Sequence, residues 1–244
     1  MTIVRGGRPF YGEAIGILVL DTVFPRIPGD IANASTFDFP VRFKVVRGAS
    51  PRSVVIGHDR ALLKPFIEGA QELEREGVLA ITTTCGFLAM FQQDMADAVN
   101  VPVFTSSLMQ IPVVHRMLRR GKRIGIVTAN SQTLSPDILS AVGVTEDIPT
   151  AVVGAENTPA FYGVFVQNGI ELDVEAAEAG VVRMAKGLQD QYPELGAFVC
   201  EGTNYSSFGH AVQSATGLPW FDIVTMTRWI YHGVVKQKVA GGFM

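Results

Sequence analysis

Cysteine occurs only twice in the 244 residues, at Cys85 and Cys200, and each follows a short run of β-branched or apolar residues, in ITTTCGF and FVCEGTNY. Such runs read as strands. Each thiol therefore stands where a strand hands over to a helix, near the unpaired N–H groups and positive dipole end of that helix. Both features favour thiolate over thiol and make the sulfur a competent base or nucleophile. Two thiols facing one cleft from opposite sides suit proton transfer at a single carbon: one takes a proton from one face and the other returns a proton to the opposite face. Donors around an adjacent carboxylate would hold the charge that develops. The cysteines lie 115 positions apart, which excludes a CxxC redox pair, and His58, His115, His210 and His232 form no i, i+4 pair of the kind a zinc site uses. No metal site is expected.

The elements that must carry these thiols repeat. ITTTCGFLAMFQQDMADAVNVPVFTSSLMQ runs strand, cysteine, helix, Asn-Val-Pro-Val-Phe, helix, and FVCEGTNYSSFGHAVQSATGLPWFDIVTMT keeps the same order through Gly-Leu-Pro-Trp-Phe. Such a repeat predicts two α/β units related by a pseudo-twofold axis, with the cysteines at equivalent strand ends, where open α/β sheets bind ligands. Strands are expected over 14–20, 78–84, 101–104, 122–128, 151–153, 196–200 and 220–223. Helices are expected over 60–76, closed by Gly77, over 86–99 with Asn100 as a left-handed cap, from Ser135-Pro136 onward, and from an Asp173 cap to about Gln191. Segment 29–52 contains a strand-like piece at 41–46 and is otherwise unassigned. The fold class predicted is α/β: two pseudo-symmetric α/β domains with parallel central sheets, 1–107 plus 226–244 and 108–225, with the active site in the cleft between them.

IGILVLD at the first strand, TTTCGF, RIGIVTAN and FVCEGTNY together resemble the aspartate/glutamate racemase superfamily, which includes hydantoin racemase, maleate isomerase and arylmalonate decarboxylase. The resemblance covers nearly the whole chain. It implies a cofactor-independent racemase or epimerase inverting a carbon next to a carboxylate or carbonyl in a small acid such as aspartate or glutamate, with Cys85 and Cys200 as the catalytic pair. It also implies a pocket formed by Asp21, Thr84, Gly86, Phe87, Thr128, Ala129, Asn130, Glu201, Gly202 and Thr203. Arg26 is a further candidate, because a guanidinium suits bidentate carboxylate recognition; the plain alternatives are a turn role for Asp21 and a solvated Arg26. Two departures bear on the reaction. Gly86-Phe87 stands where the amino-acid racemases have Asn-Thr, and Glu-Gly-Thr comes after the second cysteine in place of Thr-Glu or Thr-His. Other readings are a decarboxylase or cis-trans isomerase of a small dicarboxylate, or a ligand-binding relative without catalysis.

Twenty basic against 23 acidic residues leave a net charge of −3, without the basic footprint that nucleic acid or an anionic membrane surface requires. The basic run from Arg119 to Arg123 reads as a solvated helix end. No apolar run reaches the ~20 residues of a membrane span, and the first residues lack the pattern of a signal peptide. The partners expected are a small-molecule carboxylate substrate and further copies of the chain in a homo-oligomer, with no nucleic acid and no membrane. The location expected is cytoplasmic.

Overall fold

The computed structural model describes residue 3 and residues 6–238. The first half runs β1 (Ile15–Leu20), β2 (Val41–Val46), α1 (Leu63–Glu76), β3 (Ala80–Thr83), α2 (Gln92–Asp97), β4 (Val103–Phe104) and α3 (Ile111–Met117). The second runs β5 (Arg123–Thr128), α4 (Pro136–Ser140), β6 (Thr150–Gly154), α5 (Pro159–Phe165), α6 (Val174–Gln191), β7 (Leu195–Cys200), α7 (Gly209–Thr216), β8 (Trp220–Phe221) and α8 (Ile223–Val234). Two four-stranded sheets result, ordered β2-β1-β3-β4 and β6-β5-β7-β8, with every pairing parallel. The protein is thus α/β, and the two sheets share one strand order.

Burial on both faces explains why the central strands are legible as unbroken apolar runs. All six residues of β1 are buried. Ile15, Ile17 and Val19 point to one side, where Ile223 and Met226 of α8 cover them, and Leu18 and Leu20 point to the other, against Phe66, Ala70 and Leu73 of α1. Helix α1 stops at Gly77, whose φ of 98° is the left-handed conformation in which its N–H reaches the carbonyls of Leu73 and Glu74. Helix α6 starts at Asp173, whose carboxylate accepts from the Ala176 N–H at 2.9 Å.

Three local expectations are corrected. The helix expected over 86–99 is a 3-10 segment, Gly86–Phe91, continued by the short α2. Asn100 is not in a left-handed conformation; the positive-φ residues other than glycine among those described are His58 and Asn168. Its N–H is bound by the Glu74 carboxylate instead, at 2.6 Å. The last strand ends at Phe221, because Asp222 caps α8 by accepting from the Thr225 N–H at 2.8 Å.

Candidate active site

In each sheet the connection reverses direction between the two central strands, so the carboxyl ends of β1 and β3, and of β5 and β7, flank a crevice. Past those ends the ladders continue symmetrically: the Thr84 N–H bonds the Leu18 carbonyl at 3.0 Å and the Glu201 N–H bonds the Val127 carbonyl at 2.8 Å. The two crevices meet. The Thr203 hydroxyl donates to the Thr84 carbonyl at 2.7 Å, and the Ser107 hydroxyl donates to the Cys200 carbonyl. Between them lies a small cavity of about 30 Å³ whose wall includes Thr84, Cys85, Gly86, Ala129, Glu201, Gly202 and Thr203 together with Phe24, Phe161, Phe165 and Tyr205. That volume holds little more than one water. A wider recess of about 440 Å³, lined by Arg52, Tyr162 and Asn168 among others, adjoins it and shares Pro51 and Val166 as walls.

Glu201 is the charged side chain at the centre. It is 1% exposed. Its Oε2 accepts from the Thr128 hydroxyl at 2.8 Å and from the Ala129 N–H at 3.3 Å. From the first half Gly86 closes on the same carboxylate: a Cβ there would come within 2.5 Å of Glu201 Oε1. Burial pushes the carboxyl up to about 7, against the opposing pull of the Thr128 hydroxyl and the N–H groups of Ala129, Phe87 and Gly86.

The thiols behave opposite to the expectation from helix dipoles. Burial, and after it the charge of Glu201, raises the Cys85 thiol well above its ordinary value, and the N–H groups of Phe87 and Leu88 offset only part of this. Cys200 is likewise raised, by burial first and then by Asp222 and Glu201. Each cysteine leads into a 3-10 segment, Gly86–Phe91 or Thr203–Phe208, in place of a long α-helix with an aligned dipole. Cys85 lines the cavity. Cys200 has no exposure, and its sulfur turns to the Gly202 carbonyl at 3.3 Å.

The other expected site residues divide in the same way. Phe87 is fully buried against the His58 ring, at 5.8 Å between centroids. Thr128 lies under the cavity, its hydroxyl on Glu201 and its carbonyl accepting from the Tyr205 hydroxyl at 2.9 Å. Asn130 holds its own turn, accepting from the Gln132 and Thr133 N–H groups. Asp21 is engaged by Arg47 and the Gly48 N–H, and Arg26 by Asp30 at 2.8 Å. None of these five lines the cavity. The aromatic wall was missed in the sequence; its signal is the i, i+4 pair Phe161 and Phe165, which pack at 4.4 Å between centroids.

No family model matches the chain. Over 234 residues, 93% of its length, it is 30% identical to the dimethylsulfoniopropionate lyase of Durusdinium sp. clade D, and spans 77% of that protein. The chain belongs to this lyase family. It is also 32% and 31% identical to dimethylsulfoniopropionate lyases 7 and 3 of Emiliania huxleyi (strain CCMP1516), spanning 64% and 57% of their lengths. Among solved structures, arylmalonate decarboxylase superposes with a TM-score of 0.56 at 16% identity, covering 90% of this chain and 91% of that one. For allantoin racemase from Pseudomonas fluorescens the values are 0.57, 17%, 93% and 100%. For Picrophilus torridus aspartate racemase they are 0.57, 13%, 86% and 89%. These likenesses establish a shared fold. The isomerase activity expected from the sequence, with its decarboxylase and cis-trans isomerase alternatives, is overturned by the lyase relatives: family resemblance located the scaffold, and a scaffold does not fix the reaction.

Proposed function

We propose that this protein cleaves dimethylsulfoniopropionate into dimethyl sulfide and acrylate by β-elimination. The observation that carries the reading is the 30% identity to the Durusdinium lyase along almost the whole chain. The substrate is a three-carbon carboxylate bearing a dimethylsulfonium group at its far end. Removing a proton from the carbon next to the carboxylate expels the sulfonium as a neutral sulfide, so the site needs a proton acceptor, donors for the carboxylate and a surface for a methylated cation. Cys85 and Glu201 line the cavity together with Phe24, Phe161 and Phe165. Aromatic faces attract desolvated cations. The Phe24 ring already carries one, the Arg26 guanidinium, at 4.6 Å.

The two thiols take different parts. Cys85, held as a thiol by burial and by the Glu201 charge, can donate its S–H to the charge that gathers on the substrate carboxylate as the proton leaves. Cys200 anchors the Gly202 carbonyl and with it the segment that carries Glu201. Purified protein incubated with dimethylsulfoniopropionate in a sealed vial tests the reading: dimethyl sulfide in the headspace and equimolar acrylate in solution are expected. Absence of both would overturn it.

A further inference from the structure

We propose that the Arg26–Asp30 pair sets the charge specificity of this site, with Asp30 as the positioning residue that lets the aromatic wall accept a cationic substrate end. The inference rests on the lyase reading and assigns how its sulfonium end is selected. Only 2% of the Asp30 side chain and 13% of the Arg26 side chain are exposed. Oδ1 of Asp30 accepts from the Arg26 guanidinium and from the Ala32 N–H, each at 2.8 Å, and its Oδ2 accepts from the Asn204 amide at 2.7 Å. Arg26 also donates to the Thr22 hydroxyl at 3.1 Å and lies on the Phe24 ring at 4.6 Å. The Asn33 amide on the Arg26 carbonyl at 2.7 Å, and the Thr36 hydroxyl on the Asp30 carbonyl at 2.6 Å, fix the loop that carries the pair. Phe24 and Asn204 both line the cavity. One buried carboxylate thus holds two wall residues, one from the loop after β1 and one from the 3-10 segment after Cys200.

The pair matters because of where its positive member sits. A guanidinium packed on Phe24 without a countercharge would repel a methylated cation drawn to the same ring, since charges act over several ångströms where water is excluded. It would also burden the fold, because a buried charge left without its partner is destabilising. Asp30 removes both effects by neutralising Arg26 in a charge-assisted hydrogen bond. An ionised carboxylate can only accept, so Asp30 also fixes the Asn204 amide with Nδ2 toward itself and leaves Oδ1 for the opposite side. An electron-rich ring and an oriented amide then border the cavity beside a neutral pair. Such a wall favours a dimethylsulfonium group over an uncharged branched group of the same shape.

The test is calorimetric binding of two substrate analogues, one with a trimethylammonium group in place of the sulfonium and the other its uncharged tert-butyl isostere. Wild type, Asp30→Asn, Arg26→Gln and the double variant are compared, with thermal melting recorded alongside. Wild type is expected to prefer the cation. Asp30→Asn leaves Arg26 unmatched and should cut the affinity ratio, cationic over neutral, by roughly tenfold. Arg26→Gln leaves the Asp30 carboxylate unmatched and should raise that ratio, and the double variant should return it toward wild type. A purely structural pair would weaken both analogues alike and leave the ratio where it was. An unchanged ratio in Asp30→Asn, a lowered or unchanged one in Arg26→Gln, or a double variant that keeps the ratio of Asp30→Asn overturns the proposal. If Asp30→Asn does not fold, Arg26→Gln and the double variant decide. A wild-type protein that binds the cation no better than its isostere overturns the proposal as well. One that prefers the cation yet releases no dimethyl sulfide from dimethylsulfoniopropionate is a different failure, that of the lyase reading.

Discussion

A carboxyl group at about 7 in the folded chain and near 4.5 when unfolded makes Glu201 a stability term with a definite sign. Between those values the unfolded chain gives up its proton while the folded one retains it. Stability therefore falls as pH rises through this window, and above it the deficit is constant at roughly 3 kcal/mol. Glu201→Gln removes the charge and keeps an acceptor for Thr128, so urea unfolding at about pH 8 should show a gain of up to that size, fading at acid pH. A variant less stable than wild type at pH above 7 would contradict the burial argument. Across the seam, Gly86→Ala sets a methyl against the Glu201 backbone carbonyl oxygen and its Oε1. A loss of about 1–3 kcal/mol is expected from the overpacking, together with loss of turnover as the carboxylate is displaced. Unchanged turnover in that variant would show that the carboxylate position is not critical.

At the scale of elements, β3 and β7 bring Cys85 and Cys200 to the strand ends, and caps hold the helices beyond them. Asp222 holds the start of α8 through the Thr225 N–H and hydroxyl, and accepts from the Trp220 indole at 3.0 Å. Asp222→Ala should cost about 1–2 kcal/mol, the range of a lost N-cap, measured as a lower denaturant midpoint with an unchanged slope. The central strands were legible in the sequence because burial on both faces leaves contiguous apolar runs, as in IGILVL of β1. Edge strand β2, VRFKVV, is half-buried along most of its length, and so offered only a fragmentary pattern. The π-helical turn Arg52–Ile56 and the 3-10 segments after both cysteines were not legible, since neither carries the 3.6-residue period that marks a helix. That last miss mattered. An expected helix dipole promised thiolates at Cys85 and Cys200, whereas enclosure and a neighbouring carboxylate hold both as thiols.

Across the whole molecule, the repeat seen around the two cysteines corresponds to two sheets of identical strand order, and the cavity takes its wall from both halves. The Thr203 hydroxyl on the Thr84 carbonyl ties them together at the site. Thr203→Val should cost about 1 kcal/mol or more and raise KM, and a variant with wild-type stability would show that the halves are held elsewhere. The α/β fold could be read from the chain; the reaction could not, because a scaffold does not fix the chemistry it carries. The sequence does show Glu201 directly after the second cysteine and Gly86 after the first. Their proximity needed the two halves closed on each other. The most direct measurement is turnover of dimethylsulfoniopropionate deuterated next to its carboxylate, monitored beside the undeuterated compound. Equimolar dimethyl sulfide and acrylate, formed more slowly from the deuterated substrate, are expected. Absence of dimethyl sulfide, or its appearance with 3-hydroxypropionate in place of acrylate, would contradict elimination at this site.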